Sequence, residues 1–276
     1  MSTHSLDQFL LDAELCGEPS PEHIKSWLEY KAGNSIPDPD SSEESRHFYK
    51  STWKDLLNEL GMQIRPDREK FSGEPSKYVQ GDWMCSVWTT MKTGLQIAYG
   101  KDEEGDYLWL QKDHIKDTFK GSSATDASEE TYKGILEHFD EFSEVFGKEL
   151  QNFIRNAYTP ANLIIVPDGF NSARSLGTQD YWDKTLHQYF EQSKPLSYRT
   201  SYDVGTPFYR LVKTSIEDND ALFLSDWLDK NGKAIMLPTK EPATLEEWCG
   251  LLDEMTRRIN SRRDRMQDRH IASQHK

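Results

Sequence analysis

The chain has 276 residues, of which 36% are hydrophobic and 12% aromatic, and it carries 33 Lys and Arg residues against 47 Asp and Glu. Each buried aromatic ring removes a large apolar area from water, so this composition can build a folded core and argues against overall disorder. The net charge of −14 opposes general attraction to nucleic acid or to anionic membranes.

The sequence contains no run of 18 apolar residues, and its first residues lack the basic leader expected of a signal peptide. The cysteines Cys16, Cys85 and Cys249 are odd in number and far apart, which is typical of a reducing compartment rather than of a disulfide framework or a zinc site. We therefore expect a cytoplasmic protein with no membrane partner.

Two amphipathic helices are predicted near the N-terminus. The first follows Ser20 and Pro21, and its apolar positions include Ile24 and Leu28; the second ends at Gly61. From residue 62 to about 115 the helical periodicity fades, and the runs MQI, WMCSVWTTM, GLQIAY and YLWLQ predict strands. The last two runs flank the polar segment GKDEEGD, which indicates a hairpin.

Helical periodicity returns at Glu129 and continues to Ala157, with a break predicted near Gly147. The run NLIIVP then predicts a short buried strand, residues 179–192 predict a helix, and ALFLSDWL predicts a short apolar helix. A final helix begins where Thr244 and Glu247 have the spacing of a capping box.

The order of elements is helices, then a strand-rich middle, then mostly helices, without βαβ alternation. We therefore predict an α+β fold that is mostly helical, with a small antiparallel sheet in the middle of the chain. No linker rich in Pro, Gly or Ser divides the chain, so residues 1–276 are predicted to form one domain, with 1–18 and 266–276 as its mobile ends.

Several strong catalytic signatures are absent from the sequence, among them GxxxxGK[ST], GxGxxG, HExxH, GxSxG and paired CxxC. The strongest positive candidate is the polar group Asn171, Arg174, Asp180 and Asp183, which follows a predicted buried strand and a turn. It could bind a polar substrate, a phosphate or, through Asp180 and Asp183, a metal. Because ion pairs that brace a loop need the same residues, the structural interpretation is favoured.

Three further features were considered as sites. Asp38 and Asp40 in the segment PDPD present two carboxylates, although a turn that leads into a helix explains them as well. His114, which follows Asp113 and a predicted strand, resembles the start of an HNH nuclease site, and His138 is an alternative first histidine. Chance explains both histidines better, since no second histidine has matching spacing.

The final helix carries six arginines, which could form a weak basic patch for nucleic acid or an acidic partner. Cations near the C-terminus of a helix are also favoured by its dipole, so a solvated helix end is the preferred interpretation. These arginines are Arg257, Arg258, Arg262, Arg263, Arg265 and Arg269.

From about Asp38 onward the chain resembles a bacterial family of uncharacterised domains without a known activity. The shared landmarks are PDPD, the segment FYK followed by Trp53, the segment NSAR at 171–174, DYWDKTL at 180–186, SKPL at 193–196 and FLSD at 223–226. The resemblance adds Lys50 as a secondary candidate and implies one compact unit. The chain differs from the family at Tyr49, where the family has His, and at Tyr181, where it has Arg.

The sequence thus predicts a binding or interaction protein with a polar pocket at 171–183, with no cofactor. The alternative is a divergent metal-dependent nuclease or another phosphate-processing enzyme that uses a divalent metal. The residues do not decide whether the protein is an enzyme, and they do not identify the ligand.

Overall fold

The fold was analysed in a computed structural model. The residues that it describes are 24–25, 28–29, 31–32, 53–64, 78–100, 103, 129–142, 145–157, 159–167, 222–231, 235 and 242–274. In chain order the elements are α1 (Lys54–Leu60), β1 (Gln63–Ile64), β2 (Tyr78–Trp83), α2 (Val87–Tyr99), α3 (Glu129–Glu137), α4 (Lys148–Ala157), a 3₁₀ turn (Pro160–Asn162), β3 (Leu163–Pro167), a second 3₁₀ turn (Ser225–Trp227) and α5 (Leu245–Gln274).

The small sheet is mixed, with strand order β1-β2-β3. The central strand β2 pairs in parallel with β1, so that Ile64 lies opposite Val79. It pairs antiparallel with β3, where Trp83 lies opposite Leu163. The prediction of a mostly helical α+β chain with a small sheet is confirmed. The prediction that this sheet is antiparallel is wrong, because β1 and β2 pair in parallel.

In the predicted strand WMCSVWTTM, only Trp83 belongs to a strand, since it ends β2, whereas residues 87–91 begin α2. The predicted strand GLQIAY also lies in α2, and the predicted hairpin is therefore wrong. Ser86 caps this helix by accepting a hydrogen bond from the Thr89 backbone N–H at 3.2 Å. Val87, Met91 and Leu95 are all buried at helical spacing. Most of the surface of this helix is buried, so its apolar residues do not form the one-sided pattern of an amphipathic helix by which helices were predicted. The other predicted strand of the hairpin, YLWLQ, lies outside the described residues.

The other described helices agree with the sequence pattern. Ile24 and Leu28 are helical and buried, and Gly61 ends α1 in the left-handed conformation at φ 66°. The helical region from Glu129 is interrupted between α3 and α4, and the predicted strand NLIIVP is β3. The predicted helix ALFLSDWL contains only the 3₁₀ turn at 225–227. Residues 266–274 continue α5 as a helix.

The core is organised around α5, which contacts both α2 and α4. Its buried stripe includes Trp248, Leu252, Met255 and Ile259 at spacings of three and four residues. The Trp248 ring lies against Gly94 of α2, and its indole N–H donates to the Thr90 carbonyl at 3.1 Å. This arrangement places the later part of α5 beside the start of β3.

Candidate functional site

The residues that the sequence selected as a site lie outside the described part of the chain. This holds for the polar group Asn171, Arg174, Asp180 and Asp183, and for the secondary candidates Asp38, Asp40 and Lys50. The structure does describe both flanks of the polar group, namely β3, which ends at Pro167, and the segment that begins at Leu222.

Arg262 of α5 joins these two flanks, and its side chain is 0% exposed. Its Nη1 donates to the carbonyls of Ala161 at 2.8 Å and of Leu163 at 2.6 Å. Its Nε and Nη2 both donate to the Leu222 carbonyl, at 3.1 Å and 2.9 Å. One guanidinium thus bonds both the start of β3 and Leu222, because its planar fork offers donors in several directions.

Asn162 directly precedes β3, and its side chain is also completely buried. Its Oδ1 accepts from the Cys85 backbone N–H at 3.0 Å. Its Nδ2 donates to the carbonyls of Cys85 at 2.8 Å and Ala157 at 2.9 Å. The side chain therefore links the turn before α2 to the end of α4, and all three bonds are shielded from water.

Residues 222–227, here called the strap, pack into the core. Leu222, Leu224 and Trp227 are fully buried. Phe223 has a positive φ of 57°, a conformation that is strained for a bulky side chain. Its carbonyl accepts a hydrogen bond from Arg265 Nη2 at 2.8 Å. The apolar side chains and the arginine contacts together hold the strap against α5.

The outer edge of the strap carries a charged network around Asp226. Arg258 Nη1 donates to the Asp226 carbonyl at 2.8 Å, and Arg265 Nη1 lies 3.1 Å from its carboxylate. Ser261 Oγ also donates to that carboxylate. On the preceding turn of α5, a hydrogen bond from Arg257 is the main cause that holds the pKa of Glu254 below its usual value. Burial acts in the opposite direction, and a hydrogen bond from Arg258 adds to the lowering.

These contacts change the interpretation of the arginines in the final helix. Arg258 and Arg262 are buried and donate to main-chain carbonyls, so they do not belong to an exposed basic patch. Arg257 is 61% exposed but pairs with Glu254. Arg263 Nη1 donates to Asn156 at 3.2 Å. The side chain of Arg269 lies outside the described residues.

Three other polar groups have distinct environments. Burial lowers the pKa of Lys92, which is 3% exposed, to about 8. Burial, followed by the charges of Glu149 and Asp253, raises the pKa of the Cys249 thiol and so disfavours its reactive thiolate form. His138 follows α3, and its Nδ1 lies 2.7 Å from Glu141 Oε1. His114 lies outside the described residues.

The sequence contained a signal for Arg262 that the sequence analysis did not use. Leu252, Met255, Ile259 and Met266 are buried at spacings that leave Arg262 on the same stripe of α5. An arginine at a position of this kind has to find hydrogen-bond acceptors, because an unpaired buried charge costs several kcal/mol. Asn162 carried a weaker signal, since Asn is common in turns on the surface.

Comparison of the chain with protein-family models, curated proteins and solved structures finds no match. The resemblance to a bacterial family therefore stays a prediction. In the part of the chain that the structure describes, no helix is long and apolar enough to cross a membrane. Across the same ranges, no three His, Cys, Asp or Glu side chains are grouped so that they could hold a metal ion.

Proposed function

We propose that this is a binding or interaction protein whose ligand contacts Asn171, Arg174, Asp180 and Asp183. The observation that supports this proposal is the common anchor of the two flanks. β3 ends at Pro167, four residues before Asn171, and the strap begins at Leu222, after Asp183. Both flanks are bonded to the same buried guanidinium of Arg262. Binding residues are commonly placed on segments that leave a rigid scaffold, and this anchor supplies such a scaffold.

The residue types in the group favour a small polar ligand. Arg174 offers a planar set of donors for a carboxylate or phosphate, and Asn171 offers both a donor and an acceptor. Asp180 and Asp183 could accept from an amine or coordinate a cation. The ligand class that fits all four residues is a small molecule that carries an anionic group together with donors or a bound cation.

The compartment that we propose is the reducing cytoplasm of a bacterium. Cys85 and Cys249 are both free thiols in the structure, and Cys85 is buried. Nucleic acid is a poor partner for a chain with a net charge of −14. The inward direction of Arg258 and Arg262 supports the same view, because their donors are used within the protein.

The proposal can be tested by thermal unfolding of the purified protein in sodium phosphate, MgCl₂ or MnCl₂, with sodium chloride at equal ionic strength as the reference. A probe that binds at one hundred times its Kd stabilises the folded state by about 2.7 kcal/mol, which corresponds to a rise in Tm of roughly 5–10 °C. We expect such a rise for the wild type. It should be lost in Arg174→Ala and Asp183→Asn and kept in Arg257→Ala, whose side chain is exposed.

Two results would decide against the proposal. In the first, no probe changes the Tm of the wild type and the Asp183→Asn variant does not fold. The group would then be a structural brace. The second is hydrolysis of DNA, RNA or a phosphate ester by the manganese-loaded protein that disappears in Asp183→Asn. That result would establish the alternative, a metal-dependent enzyme. Metal analysis would show whether the purified protein carries a metal ion. The ratio of its absorbance at the nucleic-acid maximum to that at the protein maximum would show whether it carries nucleic acid.

A further inference from the structure

We draw no further inference here: the strongest candidate, the buried polar face that Thr89 and Lys92 form on the first turns of α2, carries nothing, because nothing in the described part of the chain shows what covers that face and the lowered pKa of Lys92 alone points to a reactive amine.

Discussion

Two glycines in the helices of this protein should respond in opposite directions to the same substitution. Gly94 lies in α2, and a Cβ atom added there would lie 2.5, 2.6 and 2.9 Å from three atoms of the Trp248 ring. Gly250 lies in α5, where an added Cβ would have no atom within 4 Å. The pair thus separates the intrinsic effect of a glycine in a helix from the effect of close packing.

The size of each effect follows from the surroundings. Alanine stabilises a helix interior by about 1 kcal/mol relative to glycine, which is the effect expected at Gly250. At Gly94 the same gain is opposed by overpacking, which costs about 1–3 kcal/mol. The Trp248 ring is 2% exposed and its N–H is bonded to the Thr90 carbonyl, so it cannot move aside at low cost. Gly94→Ala should therefore be destabilised by about 1–2 kcal/mol.

The assay is equilibrium unfolding in urea, in which both variants should keep the wild-type slope and differ in midpoint. We expect Gly94→Ala to unfold at lower urea than the wild type and Gly250→Ala at higher urea. A combined Gly94→Ala and Trp248→Phe variant should lose less than the two single changes added together, because the smaller ring makes room. A Gly94→Ala variant as stable as Gly250→Ala would refute the close packing of α2 against Trp248 of α5.

Three further results are expected. Asn162→Ala should lose about 3 kcal/mol of unfolding free energy, because three buried hydrogen bonds disappear and two carbonyls lose their donor. Urea unfolding would measure this loss, with Asn231→Ala at an exposed position as the control. Lys92→Met should have a larger free energy of unfolding than the wild type at neutral pH, and this excess should shrink between about pH 8 and 10.5. Urea unfolding of both proteins at several pH values in this range would measure it. Alkylation of Cys249 by iodoacetamide should be slow and should accelerate in Glu149→Gln, measured by mass spectrometry.

The sign of the Lys92 effect follows from linkage. Below about pH 8 the amine is protonated in both the folded and the unfolded chain, so the folded state bears the full cost of the buried charge. Between about pH 8 and the ordinary value of 10.5, the folded chain has released the proton and the unfolded chain has kept it, so stability increases with pH. A wild type and a Lys92→Met variant that differ by a constant amount across this range would contradict the burial of this amine.

Much of the helical framework could be predicted from the sequence, because capping residues and one-sided apolar stripes determine helices locally. Thr244 accepts from the Glu247 backbone N–H at 3.2 Å, as the capping-box spacing predicted, although the Glu247 carboxylate accepts from Ala243 rather than from the cap residue. Gly61 ends α1 for the local reason that glycine adopts a left-handed conformation readily.

The elements that could not be predicted depend on contacts between distant parts of the chain. α2 was mistaken for strands because Thr89, Thr90 and Thr93 favour strands locally, whereas packing against α5 determines the observed helix. The parallel pairing of β1 with β2 is likewise a contact that no local pattern specifies. Arg262 was read as a surface charge, since its acceptors lie 40 to 101 residues away in the sequence.

The measurement that tests the account most directly is the hydrogen exchange of the Arg262 side chain itself, observed by NMR in protein labelled with nitrogen-15. The account predicts that the Arg262 Nε–H, which donates to the Leu222 carbonyl, exchanges as slowly as the amides of β3, and that its signal disappears in Arg262→Lys. The exposed Arg257 provides the internal reference. An Arg262 Nε–H that exchanges as rapidly as that of Arg257 would contradict the claim that one buried guanidinium bonds both the start of β3 and the strap.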